Sequence, residues 1–597
     1  MSALRRALTI TFSFLTLYLS AEAQELVSTL ESNHVIEQAA IHQKRPTLKR
    51  GDTLNLPFFE DFSQQEGYPN PTRWTNDYVY VNNGFGVHMV SQGVATFEGL
   101  NQFGTPYMPG QATSKGGADT LTSAPLNMAF AEADSVFLSF FYQPQGNGEA
   151  PEATDSLVLQ TKINDTTWLS VWRAKGKTLA NFRTDSGFSQ VMINLSQSKY
   201  LYNGFQFRFI NYGNLSGNTD HWHVDYIRLN KGRSVVDTVL NDITIAGQPT
   251  QLFQIYTSKP VADFLEDDIN TAIFLPFRNT FITPTFFSMT YEMNFEVDGT
   301  PYKFVNTEEI QSNDNDTTFF FLPPTFTIDK SQENLGIKMY FLIQDRNDAF
   351  SVNDSLVKTQ ILSNYYSYDD GTAENAYGLN TEGGQLAYKF DTRSPQKLEA
   401  IDIFFTRLLD NVNNDLFTLK VWKSLDSNPI YEKAVQRPEY NGQNEYFTYE
   451  LDSAIDISGE FYVGWEQRFG RILNIGLDRN TSANATRLKF NVEGTWVSST
   501  IQGSIMMRPV IAGNEFVGIN ENNFPSINIF PNPTTGVFSI ENFEADVNLL
   551  KITNLFGKEV NFSIQGDHQI DIANLPKGVY LLQFFGDRPW TKKIIKQ

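Results

Sequence analysis

Apolar residues fall on alternate positions along most of this chain, and short polar stops break the runs. In LPFFEDF, WTNDYVYVNN, VATFEGL, SVFLSFFYQPQG, DSLVLQTKI, WLSVWRAKG, FQFRFINYG and DHWHVDYIRL the pattern repeats between Gly, Asn and Asp turns. That period of two predicts β-strands, and residues 52–231 hold enough of them for a two-sheet jelly roll. From 235 to 363, runs such as QLFQIYTS, TAIFLPFRNT, FFSMTYEMNFEVDG, TTFFFLPP and IKMYFLIQD have hairpin spacing and predict one immunoglobulin-like sandwich. Residues 364–512 open with YYSYDDGTAENAYGL and continue through LEAIDIFFTRL, FTLKVWKS and EFYVGWEQ, which predicts a second jelly-roll-like domain. The expected fold class is all-β, built from tandem β-sandwich domains.

Three stretches read differently. Leu26, Leu30, Ile36, Ala39 and Ala40 have loosely helical spacing, so residues 24–51 are expected to form a linker or short helix. Residues 513–524, rich in Asn and Glu, read as a linker. Beyond them, residues 525–597 form a small β-sandwich. Ile527, Ile529, Phe538 and Ile540 alternate around a Pro-Asn-Pro-Thr-Thr-Gly stop, where Pro531 and Pro533 cannot donate to a ladder. Phe556-Gly557-Lys558 and Pro576-Lys577-Gly578 supply later turns.

The first 23 residues have the layout of a secretory signal. Arg5 and Arg6 precede an apolar run, and Ala21-Glu22-Ala23 is a small-x-small cleavage site. The run is shorter than the about 20 residues a spanning helix needs, and no later stretch is long and apolar enough, so no transmembrane segment is expected.

Composition narrows the chemistry. With no cysteine among 597 residues, thiol catalysis and cysteine metal sites are excluded, and the domains must hold by burial alone. A net charge of −21 argues against nucleic acid as a partner. The sequence also lacks the Gly-x-Ser-x-Gly, His-Glu-x-x-His and phosphate-loop patterns.

Candidate sites remain. Asp369, Asp370 and Glu374 in one loop, and Asp410 and Asp415 in another, are candidate calcium ligands, since calcium takes oxygen donors from such loops. His221, His223 and Asp225 would share one face of a strand, but the favoured reading is a terminal strand whose Trp222 and Val224 pack inward while the polar residues face out. Glu60-Asp61 and Glu149 with Glu152 are candidate carboxylate pairs for glycoside chemistry. Trp168 and Trp172, four apart on a strand, would share a face and form a sugar-stacking platform, against the alternative of core packing.

The order INIFPNPTTG, ITNLFGKEV, IDIANLPKGVYLLQF and KKIIKQ resembles the type A C-terminal sorting domain of the type IX secretion system. On that resemblance Pro531, Asn532, Pro533, Gly536, Gly557, Leu575, Gly578, Tyr580, Lys592 and Lys593 carry the sorting signal. The resemblance implies export through the periplasm and outer membrane, the secretion machinery as partner, and attachment to surface lipopolysaccharide or release. The first jelly roll is similar to MAM and concanavalin-like domains in its Phe-Glu-Asp-Phe and Trp-x-x-Asp strands, which implies no catalytic residues. Residues 364–512 resemble a domain that recurs ahead of such tails, by GWEQ, GLDRN and GSIMMRP. Asp-Ser and Asp-Thr steps, as at Thr120, Ser156 and Ser355, resemble an O-glycosylation signal of bacteria with this system. The expected function is adhesion or carbohydrate binding at the cell surface. The alternatives are a secreted hydrolase of polysaccharide or protein, and a structural scaffold.

Overall fold

On the strand Phe207–Asn214, Phe207 and Phe209 are fully buried while Arg208 points out, and the same alternation sets Leu157 and Leu159 inward on Ser156–Lys162. These two strands pair with each other in a sheet ordered Lys115–Thr122, Phe207–Asn214, Ser156–Lys162, Trp168–Lys175. A second antiparallel sheet runs Ser189–Asn194, Phe137–Pro144, Trp222–Asn230, Val94–Phe97, Tyr80–Asn82, with Phe58–Glu60 also pairing on Trp222–Asn230. Trp74, Phe97, Phe140, Phe205, Phe207, Phe209 and Trp222 fill the space between them. The computed structural model describes residues 25–42, 53–512 and 528–596, less short internal stretches of which 407–414, 440–445 and 542–549 are the longest. Ala21 and Ala23, residues 513–524, Asp410 and Gly557 lie outside the described residues.

The following sandwich has a sheet of Ile243–Ile245, Ile273–Asn279 and Asp316–Phe321 facing one of Thr300–Ser312, Thr285–Val297, Leu335–Gln344 and Ser355–Leu362. Tyr291, Met293, Met339 and Phe341 lie in its core. The next is built on two long strands, Gln385–Ile403 and Phe447–Gln467, paired along most of their length. Its core holds Tyr366, Tyr377, Tyr388, Phe417 and Trp465. The C-terminal sandwich sets Asn528–Phe530, Val537–Glu541, Gln569–Asp571 and Ser563–Gln565 against Leu550–Asn554, Gly578–Phe584 and Trp590–Lys596. The fold is all-β.

The N-terminal segment ties the first and third sandwiches together. Glu25–Ser28 is an edge strand on Asn375–Leu379, in a sheet completed by Ile475–Asp478 and Ser504–Ile505. Its Glu25 carboxylate accepts from Tyr377 Oη at 2.8 Å and from the Thr500 backbone N–H at 3.0 Å. Leu30 packs with Ala373, Ala376, Phe404 and Met506 of the third sandwich. The helix His34–His42 then turns to the first sandwich, where Ile36 packs with Tyr68, Tyr80 and Phe85. Asn33 stands at its start and accepts from the Ile36 N–H, while its Nδ2 donates to both oxygens of Glu98 at 2.9 Å. One short segment thus belongs to two cores.

Candidate functional site

The tail gathers motifs that are far apart in sequence. Asn532 Nδ2 donates to Lys593 O at 2.9 Å and its Oδ1 accepts from the Ile595 N–H at 2.8 Å. The Thr534 N–H reaches Ile595 O at 2.7 Å, so the Pro-Asn-Pro-Thr turn is stapled to the last strand. Pro531 and Pro533 follow cis peptide bonds in that turn. Gly536 has a φ of 142°, and a Cβ there would stand 2.6 Å from Ala573 Cα, so no other residue fits. Leu575 packs against the core, and Lys596 Nζ donates to its carbonyl at 2.7 Å. Gly578 opens the strand that carries Tyr580, whose hydroxyl donates to Pro576 O at 2.8 Å. Lys592 and Lys593 lie on the last strand, and Lys593 Nζ donates to Ser355 Oγ at 3.2 Å.

The two tryptophans do not share a face. Trp172 pairs with Leu159 and Ser170 with Gln160, and the register shift between these pairs places Val171 as an extra residue. Trp172 therefore turns inward with Leu159, where its ring lies 5.0 Å from Phe140 and 4.8 Å from Tyr142. Trp168 stays on the outer face. There the Arg208 guanidinium lies 4.2 Å over its ring. Arg208 Nε donates to Gln160 Oε1 at 2.9 Å, and Gln160 Nε2 donates to Ser170 Oγ at 3.3 Å. The result is one aromatic ring with Arg208 stacked on a face and Gln160 and Ser170 beside it.

Two of the described calcium candidates meet guanidinium partners. Asp369 is buried and held by Arg508, with Ser367 Oγ at 2.8 Å and Tyr446 Oη at 2.6 Å also donating to it. Asp415 makes a two-pronged pair with Arg471 at 2.8 and 2.7 Å. Both carboxylates are thus already paired with a guanidinium. Asp370 and Glu374 do converge, and with Asp478, which the sequence analysis did not single out. Asn480 Nδ2 donates to Glu374 Oε1 at 3.0 Å and to Asp370 Oδ2 at 3.3 Å, while the Asp370 N–H donates to Asp478 Oδ2 at 2.7 Å. Burial pushes all three upward, the charge of Asp370 adds to Glu374 and Asp478, and Glu374 reaches about 8.

Several other candidates are held in the fold by hydrogen bonds. Glu60 is buried and accepts from Trp74 Nε1 at 3.1 Å and Arg73 Nη1 at 3.2 Å, which fixes the strand Phe58–Glu60. His221 and His223 were expected outside the core, yet both are buried, because residues 84–92 and 145–149 cover that face of their strand. His221 Nδ1 accepts from the Glu149 N–H at 3.0 Å, and His223 bridges Thr96 Oγ1 at 2.9 Å and Gln145 O at 3.0 Å. Burial lowers them to about 3 and about 4, so both are neutral. Asp225 is taken by the Ser91 N–H at 3.0 Å. Ser156, in one Asp-Ser step, is buried in a paired strand.

Where the N-terminal segment crosses between sandwiches, a pocket of about 30 Å³ is lined by Asn33, His34, Glu66, Tyr80, Asn218 and Glu374 among others. That is space for about two waters. Nearby, burial raises Glu98 to about 8 and Asp119 to about 7. Each of Glu98, Asp119 and Glu374 binds its proton more tightly folded than unfolded. From the ordinary carboxyl range up to pH 7–8 the folded state thus holds more protons, and stability falls as pH rises through that window. His34, lowered to about 4, acts with His221 and His223 in the opposite sense, costing stability only below about pH 6.5. The melting temperature is expected to fall from pH 6.5 to pH 8.5, and Glu98→Gln to shrink that fall. A flat profile, or the same fall in the variant, would count against it.

Residues 528–597 match the secretion system C-terminal sorting domain. No curated protein matches the sequence. Among solved structures, the chain is similar to the glycoside hydrolase domain of Endo-D from Streptococcus pneumoniae R6, at 7% identity and a TM-score of 0.21, over 51% of this chain and 43% of that one. It is similar to the β-glucuronidase of Bacteroides uniformis at 10% identity and a TM-score of 0.19, over 46% of this chain and 29% of that one. The chain thus spans less than half the length of either. It is also similar to the tandem CBM22-1-CBM22-2 domains of Xyn10C from Paenibacillus barcinonensis, at 9% identity and a TM-score of 0.15, over 77% of this chain and 99% of that one. None of the described helices is long and apolar enough to cross a membrane. The match and the stapled motifs agree: the C-terminal sandwich is a type IX secretion sorting domain, and the protein that carries it is directed out of the cell to its surface.

Proposed function

We propose that the exported protein is a surface adhesin that binds carbohydrate through the outer face of the sheet that carries Trp168. The observation that carries this reading is Trp168, set on that outer face with Arg208, Gln160 and Ser170 beside it. A sugar ring presents an apolar C–H face and a rim of hydroxyls. An aromatic ring backed on one face by a guanidinium, with amide and hydroxyl groups beside it, offers its other face and its neighbours to both. The signal peptide and the surface lipopolysaccharide attachment expected from the sequence fit the same route.

A glycan array with the full protein is expected to enrich one glycan class, and Trp168→Ala or Arg208→Ala to abolish that signal while leaving the melt near wild type. Trp172→Ala should do the reverse, since it removes a half-buried ring packed on Phe140 and Tyr142, at a cost of about 2–3 kcal/mol. An array without signal, or a Trp168→Ala protein that still binds, would leave the scaffold reading in its place.

A further inference from the structure

Two loops at one end of the first sandwich bring three carboxylates together, two from residues 152–155 and one from residue 220. We propose that Glu152, Asp155 and Asp220 form a calcium site. Their carboxylate oxygens lie within 4.8 Å of one another. Asp220 is 1% exposed, and its Oδ1 has no hydrogen-bond partner. Its Oδ2 is taken by the Asn214 N–H at 2.6 Å. A buried carboxylate oxygen without a donor is unfavourable, and beside two other carboxylates a cation is the partner that Asp220 Oδ1 lacks.

The backbone is shaped around these groups. Asp220 sits in the left-handed region at φ 58°, its N–H donating to Glu149 Oε2 at 3.0 Å. A Cβ on Gly213 would stand 2.4 Å from Asp220 Oδ2, and one on Gly176 would stand 2.0 Å from Glu152 O. Only glycine at both positions leaves the two acids where they are. The Glu152 N–H donates to Asp155 Oδ2 at 3.0 Å, which fixes the 2% exposed Asp155.

Lys115 shows that the cluster already gathers positive charge. Its Nζ lies 2.8 Å from Asp155 Oδ1, 3.1 Å from Glu152 Oε2 and 3.2 Å from Thr154 Oγ1. It leaves Asp220 Oδ1 unpaired, and its side chain is 45% exposed, so the amine turns to water when an ion enters. An all-oxygen site favours calcium, whose ligands sit at about 2.3–2.6 Å and so span up to about 5 Å across the ion. Magnesium requires a tighter and more regular shell.

The test is a thermal melt and calorimetric titration of the full protein with calcium chloride. At a calcium concentration a hundredfold above Kd, the melting temperature is expected to rise by about 5–10 °C. Asp220→Asn should abolish the shift, and Glu152→Gln should weaken Kd roughly tenfold by removing one charged ligand. Lys115→Gln should tighten binding, because it removes the competing amine. The Glu152 side chain is 60% exposed, so Glu152→Gln decides the matter even where Asp220→Asn does not fold. Absence of a shift in the wild type, an unchanged Kd in Glu152→Gln, or weaker binding by Lys115→Gln would each overturn the proposal.

Discussion

Replacing Arg508 with alanine is expected to destabilise the third sandwich by about 3–5 kcal/mol. The guanidinium comes from the strand Met507–Ile511 and donates to both oxygens of Asp369, whose side chain is fully buried. It also lies 4.0 Å over the Tyr446 ring and 4.9 Å over that of Tyr365. Ser367, Gly371 and Tyr446 would still donate to the carboxylate after the change, but no charge would answer it. Removing one member of a buried pair costs more than removing both. Denaturant unfolding should therefore show a large loss in Arg508→Ala and a partial recovery in the double variant with Asp369→Asn. A single variant that unfolds like the wild type would mean the pair contributes little.

Deleting residues 25–42 is expected to have an effect of similar size and to divide the unfolding. Leu30 and Ile36 are 5% and 3% exposed, and losing two such side chains removes about 3–6 kcal/mol of burial. Asn33 would no longer cover the Glu98 carboxylate, and Tyr68, Tyr80 and Phe85 would face water. Because the segment joins two cores, its loss uncouples them as well as weakening each. Calorimetry should resolve separate transitions for the first and third sandwiches in the deleted protein, at lower temperatures than in the intact one. Unchanged transitions would show that the two bodies are held by other contacts.

The all-β class was legible because alternation survives in nearly every strand, as in Phe207, Arg208 and Phe209. The sorting tail was legible for a different reason. Its motifs are short and tied to turns that only proline and glycine make, such as Gly536 against Ala573. The sites were harder. A single extra residue at Val171 reverses the facing of everything beyond it, and spacing alone gives Trp168 and Trp172 the same side. Asp369 looks like a calcium ligand until Arg508, 139 residues away, is seen on it. Long-range pairing of this kind leaves no local signature. The convergence of Glu152 and Asp155 with Asp220 was hidden in the same way, since only the pairing of distant strands brings those loops to one end.

The strand at Glu25–Ser28 also bears on how copies of the protein behave together. Glu25 is separated by 352 residues from Tyr377 and by 475 from Thr500, so an emerging chain holds its first strand long before the edge that receives it exists. Until that strand arrives, Asn375–Leu379 is an open row of backbone donors and acceptors. The first strand of a second molecule has the same sequence and fits the same row, so exchange of these arms between neighbours makes no contact that a single chain lacks.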